Sequence, residues 1–91
     1  MLVARRYVVK GRVQRVGYRF YVQDVARREG VQGFVRNLLD GRVEVMAEGE
    51  AEAVFHFEMS VRHGPLGARV DDVETEFLEP SGRFIGFLVT R

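Results

Sequence analysis

The sequence predicts an α+β sandwich, with two helices laid on one face of a mostly antiparallel sheet. Three observations carry this expectation. The apolar period switches along the chain in the order strand, helix, strand, strand, helix, strand. An Asp40-Gly41 pair separates two strand-like runs, the mark of a hairpin. At 91 residues the chain is read as one domain, 1–91, burying roughly 60–65% of its unfolded surface around one modest core.

Leu2 to Lys10 is rich in β-branched and aromatic residues and reads as the first strand. Arg19 to Glu29 follows as a helix, with Val22, Val25, Ala26 and Tyr21 on one face at i, i+3, i+4 spacing. Arg27 and Arg28 suit its negative end, and Gly30 can terminate it. Val31 to Leu39 and Arg42 to Glu48 are the arms of the hairpin, and Asp40-Gly41 favours a tight primed turn between them. Val43, Val45 and Ala47 alternate with Glu44, Met46 and Glu48, which predicts one buried face and one wet face.

Glu50 to His63 reads as the second helix, with Val54, Phe57 and Val61 as its apolar stripe. Gly64-Pro65 stops it. Ala68 to Phe77 is the next strand, and Asp71, Asp72, Glu74 and Glu76 are its solvated side chains. A turn at Pro80-Ser81-Gly82 leads to a last strand, Phe84 to Thr90. Two βαβ-like halves in so short a chain make the ferredoxin-like βαββαβ arrangement.

Composition narrows the function. Hydrophobic residues make up 46%, which favours a folded core over disorder. A formal net charge of +1 argues against a general nucleic-acid binder. Lys10 is the sole lysine, so the cationic side chains are arginines, suited to paired contacts with anions. Without cysteine there is no disulfide, thiolate metal site or cysteine nucleophile. No apolar run is long enough for a membrane span or signal peptide, and the expectation is a cytoplasmic monomer. A single asparagine and no cysteine fit a heat-adapted source.

The run Val9-Lys10-Gly11-Arg12-Val13-Gln14-Arg15-Val16-Gly17-Tyr18-Arg19 carries the chemistry. It leaves a strand, crosses a loop with two glycines and delivers an arginine where a helix begins. Backbone N–H groups at a helix N-terminus attract anions, and a guanidinium beside them holds phosphate through paired hydrogen bonds. Successive N–H groups in such a turn converge into an anion-binding nest. Asn37 also stands out, because asparagine is disfavoured inside strands and the turn belongs three residues on.

The pattern Val9-x-Gly11-x-Val13-Gln14-x-Val16-x-Tyr18-Arg19 resembles the first signature of the acylphosphatase family. Gly33-Phe34-Val35-Arg36-Asn37-x-x-x-Gly41-x-Val43, with Gly49 beyond, resembles its second, and the likeness spans essentially the whole chain. The resemblance implies hydrolysis of an acyl phosphate by direct attack of water, without metal, cofactor or covalent phosphoenzyme. It implies Arg19 and Asn37 as catalytic residues, the first neutralising phosphoryl charge and the second orienting the water. It implies Gln14, Arg15, Val16, Gly17, Tyr18 and Arg19 as the site for substrate phosphate, inorganic phosphate or another anion.

Two positions depart from the family pattern. Arg15 stands where the family has glycine, so either it adopts positive φ at a cost of about 1–2 kcal/mol or the loop takes another path. Tyr18 replaces the more usual phenylalanine, and its hydroxyl needs a partner.

Other sites are weaker. His56 and His63 with Glu52 and Glu58 show no recognised ligand spacing, so no metal is expected. Ser60 and Ser81 lack a base partner. The rival readings are an RNA-binding module on the same scaffold and a non-catalytic anion-binding domain. The first stacks bases on exposed aromatics of the central strands, positions that here read as Val, Glu, Arg and Met. Arg15 is the best argument for the second.

Overall fold

The computed structural model describes residues Met1–Arg91. Its elements are β1 (Leu2–Arg12), α1 (Tyr18–Glu29), β2 (Gln32–Asn37), β3 (Val43–Glu50), α2 (Ala51–His63), β4 (Arg69–Leu78) and β5 (Phe87–Thr90). They build one sheet in the order β4-β1-β3-β2-β5. β3 runs antiparallel to both β1 and β2, and β4 antiparallel to β1, while β5 joins β2 in parallel. The two βαβ halves therefore interlock, each placing one strand of the other between its own pair, as the ferredoxin-like reading expects.

The helices follow their sequence signals. Gly30 caps α1 in the left-handed conformation, and the N–H of Val31 reaches back to the carbonyl of Ala26 at 2.8 Å. Gly64 closes α2, with its N–H on the carbonyl of Ser60. Val22, Val25 and Ala26 of α1 and Val54, Phe57 and Val61 of α2 meet the inner sheet face, where Val43, Val45 and Ala47 are fully buried. An aromatic line runs from Tyr7 through Phe57 to Phe87, with centroids 6.4 and 5.7 Å apart. Each such side chain contributes roughly 1.5–3 kcal/mol of transfer free energy, an upper bound because the unfolded chain is already partly compact.

Four details differ from expectation. β1 does not end at Lys10. A bulge shifts its register between Lys10 and Gly11, and pairing with β4 continues to Arg12. Gly11 therefore belongs to the strand and not to the loop. At φ 138°, and packed against the backbone of Arg69 and Asp71, it has no room for a Cβ.

The hairpin loop holds three residues instead of a two-residue primed turn. Leu38 donates to the carbonyl of Arg42, and Gly41 donates to that of Leu38, so the turn closes from Leu38 to Gly41. Gly41 at φ 97° then returns the chain to β3. This is the turn-plus-bulge solution for a three-residue loop.

The last strand starts at Phe87, not Phe84, because Gly86 at φ 71° interrupts the extended backbone.

The outer face of β3 is not wet. Glu44 and Glu48 are each only 5% exposed. Arg6 and Arg36 each donate from Nε to the Glu44 carboxylate. The segment before β5 folds over Glu48, which accepts the N–H groups of Ser81 and Gly82, both at 2.7 Å. These charges are satisfied by partners in place of water, as buried polar groups must be. At the sheet edge, β4 does expose Asp71, Asp72, Glu74 and Glu76, which discourages pairing with another strand.

Candidate active site

The loop between β1 and α1 packs against the β2–β3 hairpin. Gln14 makes the join. Its Nε2 donates to the carbonyls of Leu38 and Arg42, at 2.8 and 2.9 Å, tying the turn end of the hairpin to the loop. Asn37 is the residue just before that anchor, so the join brings it beside the loop.

Arg15 adopts φ 63°, the one non-glycine residue with positive φ. Of the two options open in the sequence, the loop takes the strained one, at a cost of about 1–2 kcal/mol. Gly17 then caps α1 at φ 75°. It provides no side-chain acceptor, and the first turn of α1 carries no acidic residue. The first-turn N–H groups are thus left without a carboxylate partner and favour an anion.

Tyr18 fixes the helix start from below. Its ring is 1% exposed, and its hydroxyl donates to the carbonyl of Val61 at 2.8 Å. That bond is the partner the extra hydroxyl needs. Burial, with a smaller contribution from Tyr21, pushes the Tyr18 phenol far above its ordinary value, so it stays protonated. One turn on, Tyr21 repeats the tie to Ser60 at 2.8 Å. Arg19 projects from this anchored turn, and its Nη1 donates to the carbonyl of Thr90 in β5 at 3.2 Å.

A cavity of about 150 Å³ opens here, lined by Val13, Arg15, Gly17, Tyr18, Arg19, Phe20 and Asn37. The guanidinium-bearing residue and the carboxamide, 18 positions apart in sequence, thus face one small space. The Asn37 Oδ1 is buried and has no hydrogen-bond partner. A buried acceptor with no donor from the protein is met by an ordered water, by a ligand or by a chemical role.

Of the residues singled out in the sequence, Arg15, Gly17, Tyr18, Arg19 and Asn37 line the cavity. Gln14 and Val16 do not. Gln14 holds the loop to the hairpin, and Val16 packs against the core. Val13, Phe20 and the Thr90 carbonyl belong to the site without having been anticipated. For Phe20 a signal existed, since a phenylalanine in the first turn, off the Val22–Val25–Ala26 stripe, has no core to enter. For Thr90 none existed, because the contact comes from the far end of the chain.

The arrangement combines a cation, a helix N-terminus without a side-chain cap and an acceptor without a protein partner around one small recess. It can hold a small oxyanion and, next to it, a hydrogen-bond donor such as water.

Known proteins agree with this picture. The family model described as acylphosphatase matches residues 5–89. An acylphosphatase of Anaeromyxobacter dehalogenans is 51% identical over 80 residues, covering 88% of this chain and 86% of the relative. One of Pseudomonas paraeruginosa is 51% identical over 83 residues, covering 91% and 90%. The crystal structure of acylphosphatase from Bacillus subtilis superimposes with a TM-score of 0.94 at 35% identity, over the whole of both chains. Likeness at this level, along sequence and backbone alike, means that the chain belongs to the acylphosphatase family.

Proposed function

We propose that the protein hydrolyses the carboxyl–phosphate bond of acyl phosphates, giving a carboxylate and inorganic phosphate, by direct attack of water. The observation that carries the reading is the buried, unpartnered Asn37 Oδ1 in the same cavity as Arg19.

An acyl phosphate is a mixed anhydride. When its P–O bond breaks, the electron pair leaves on a carboxylate that is stable without a proton, so no strong general acid is needed. Phosphoryl transfer then depends on positioning and on charge stabilisation. Arg19 supplies the charge, its position fixed by the Thr90 carbonyl. Backbone N–H groups of the loop from Gln14 to Tyr18 supply further donors. The Asn37 Oδ1 accepts a hydrogen bond from the incoming water and aims a lone pair at phosphorus. An amide is too weak a base to remove the proton, which passes to the phosphate product. Each required task is thus met by a side chain or backbone group, and the mechanism needs no metal.

The same reading takes the chain to act as a monomer in the cytoplasm on a diffusible substrate. The RNA-binding alternative loses its support on the outer sheet face, where Glu44 lies under Arg6 and Arg36 and Phe34 is half-buried near Phe84. The test is hydrolysis of benzoyl phosphate with a chelator present. Turnover with competitive inhibition by inorganic phosphate supports the reading. An inert protein, or one active only with added divalent metal, overturns it.

A further inference from the structure

The cavity lining divides by exposure. Val13 and Tyr18 are buried and form the floor. Arg15, Gly17 and Phe20 are exposed and form the rim. The space is small, about 150 Å³, and Arg19 and Asn37, which the phosphoryl group and its attacking water engage, are intermediate in exposure between floor and rim. The acyl half of a bound substrate therefore lies across the rim.

Two rim side chains have no other employment. Phe20 is 63% exposed and pairs with no other aromatic ring. The Arg15 guanidinium forms no ion pair, although its backbone is held in a conformation that favours glycine. An exposed ring beside a cavity gives hydrocarbon a surface to cover. An unpaired guanidinium gives a carboxylate or phosphate a two-pronged partner. Strain retained at such a place is characteristic of ligand-contacting residues.

We propose that Phe20 and Arg15 together form the acyl subsite, and that it selects acyl phosphates whose acyl group has an apolar stem bearing a second anionic group. This rests on the acyl phosphate reading above and extends it to the half of the substrate that no signature addresses.

The experiment compares kcat/KM for acetyl, benzoyl and 4-carboxybenzoyl phosphate, at fixed ionic strength with chelator, in the wild type, Phe20→Ala, Arg15→Gly and Arg15→Gln. Ratios between substrates cancel whatever a substitution does to the phosphoryl step. In Phe20→Ala the benzoyl-to-acetyl ratio should fall roughly threefold or more, as the ring's cover is lost. In both Arg15 variants the carboxybenzoyl-to-benzoyl ratio should fall about three- to fivefold, the scale of an exposed ion pair. In the wild type that ratio should also fall as salt is raised. An active enzyme whose ratios stay level across all variants overturns the subsite alone. A shift in only one ratio overturns the combined recognition. A wild type inert on all three substrates overturns the hydrolase reading and the subsite with it.

Discussion

Arg19 Nη1 donates to the carbonyl of Thr90 at 3.2 Å, so the cation at the cavity is oriented by the last strand of the sheet. A guanidinium has five N–H donors in a rigid fork. With one used to set its direction, the rest remain for oxyanions. Removing the fork should be severe. By analogy with other arginines acting on phosphoryl groups, Arg19→Ala should lose roughly 10³-fold or more in kcat/KM for benzoyl phosphate. Arg19→Lys should recover little, because an ammonium lacks the fork that can satisfy Thr90 and phosphate together. Near-normal turnover by either variant would show that Arg19 has no catalytic part.

Asn37 separates orientation of the water from binding of the anion. Asn37→Ala should lower kcat by roughly 10²-fold, comparable to deleting one aligned polar group in other hydrolytic sites. Its inhibition constant for inorganic phosphate should stay within about threefold of wild type, since the cationic and N–H donors are untouched. The variant should also be no less stable, because the Oδ1 it removes has no partner in the fold. Lost phosphate inhibition with intact kcat would reassign Asn37 to anion binding.

The inner half of this molecule was legible in the sequence, and the outer half much less so. Periodicity located both helices, and their ends followed Gly30 and Gly64, because local backbone rules decide such boundaries. Val43, Val45 and Ala47 announced the buried face by alternation alone. The same alternation misled for Glu44 and Glu48. Nothing local shows that Arg6, Arg36 and the Ser81–Gly82 turn will cover them. At the site, Arg19 and Asn37 stood out by residue type and resemblance, and they share a cavity. The side-chain role of Gln14 did not, since both its partners are carbonyls on the hairpin. Long-range contacts account for these misses.

Gly11 tests the bulge that aims β1 into the loop. Alanine at φ 138° is strained, and its Cβ would collide with the Arg69 carbonyl oxygen, which belongs to a paired strand and cannot swing aside. Gly11→Ala should cost about 1–3 kcal/mol, the range for a misplaced backbone conformation, and lower Tm by several degrees. Urea unfolding measures the change. A loss below roughly 0.5 kcal/mol would mean that the bulge yields easily, and that Gly11 is not needed for its geometry.

Acid should find the outer face first. Burial alone would raise the Glu44 carboxyl, but hydrogen bonds from Arg6 and Arg36 outweigh it and hold the group below the ordinary carboxylate range. The Ser81 N–H, against the smaller cost of burial and with help from the Gly82 N–H, holds Glu48 low as well. In the unfolded chain both titrate near about 4.3. Above that pH both states carry the charges, and the two glutamates contribute their full stabilisation. As pH falls through the ordinary value toward the lowered folded values, the unfolded chain takes up protons that the folded chain refuses. Stability is then lost progressively. Glu48→Gln keeps one acceptor for the Ser81–Gly82 turn but has no proton to gain. Its urea midpoint should therefore lie below wild type at pH 7, with the gap narrowing toward pH 3. A gap of equal size at both pH values would show that the charge on Glu48 is not what holds the turn.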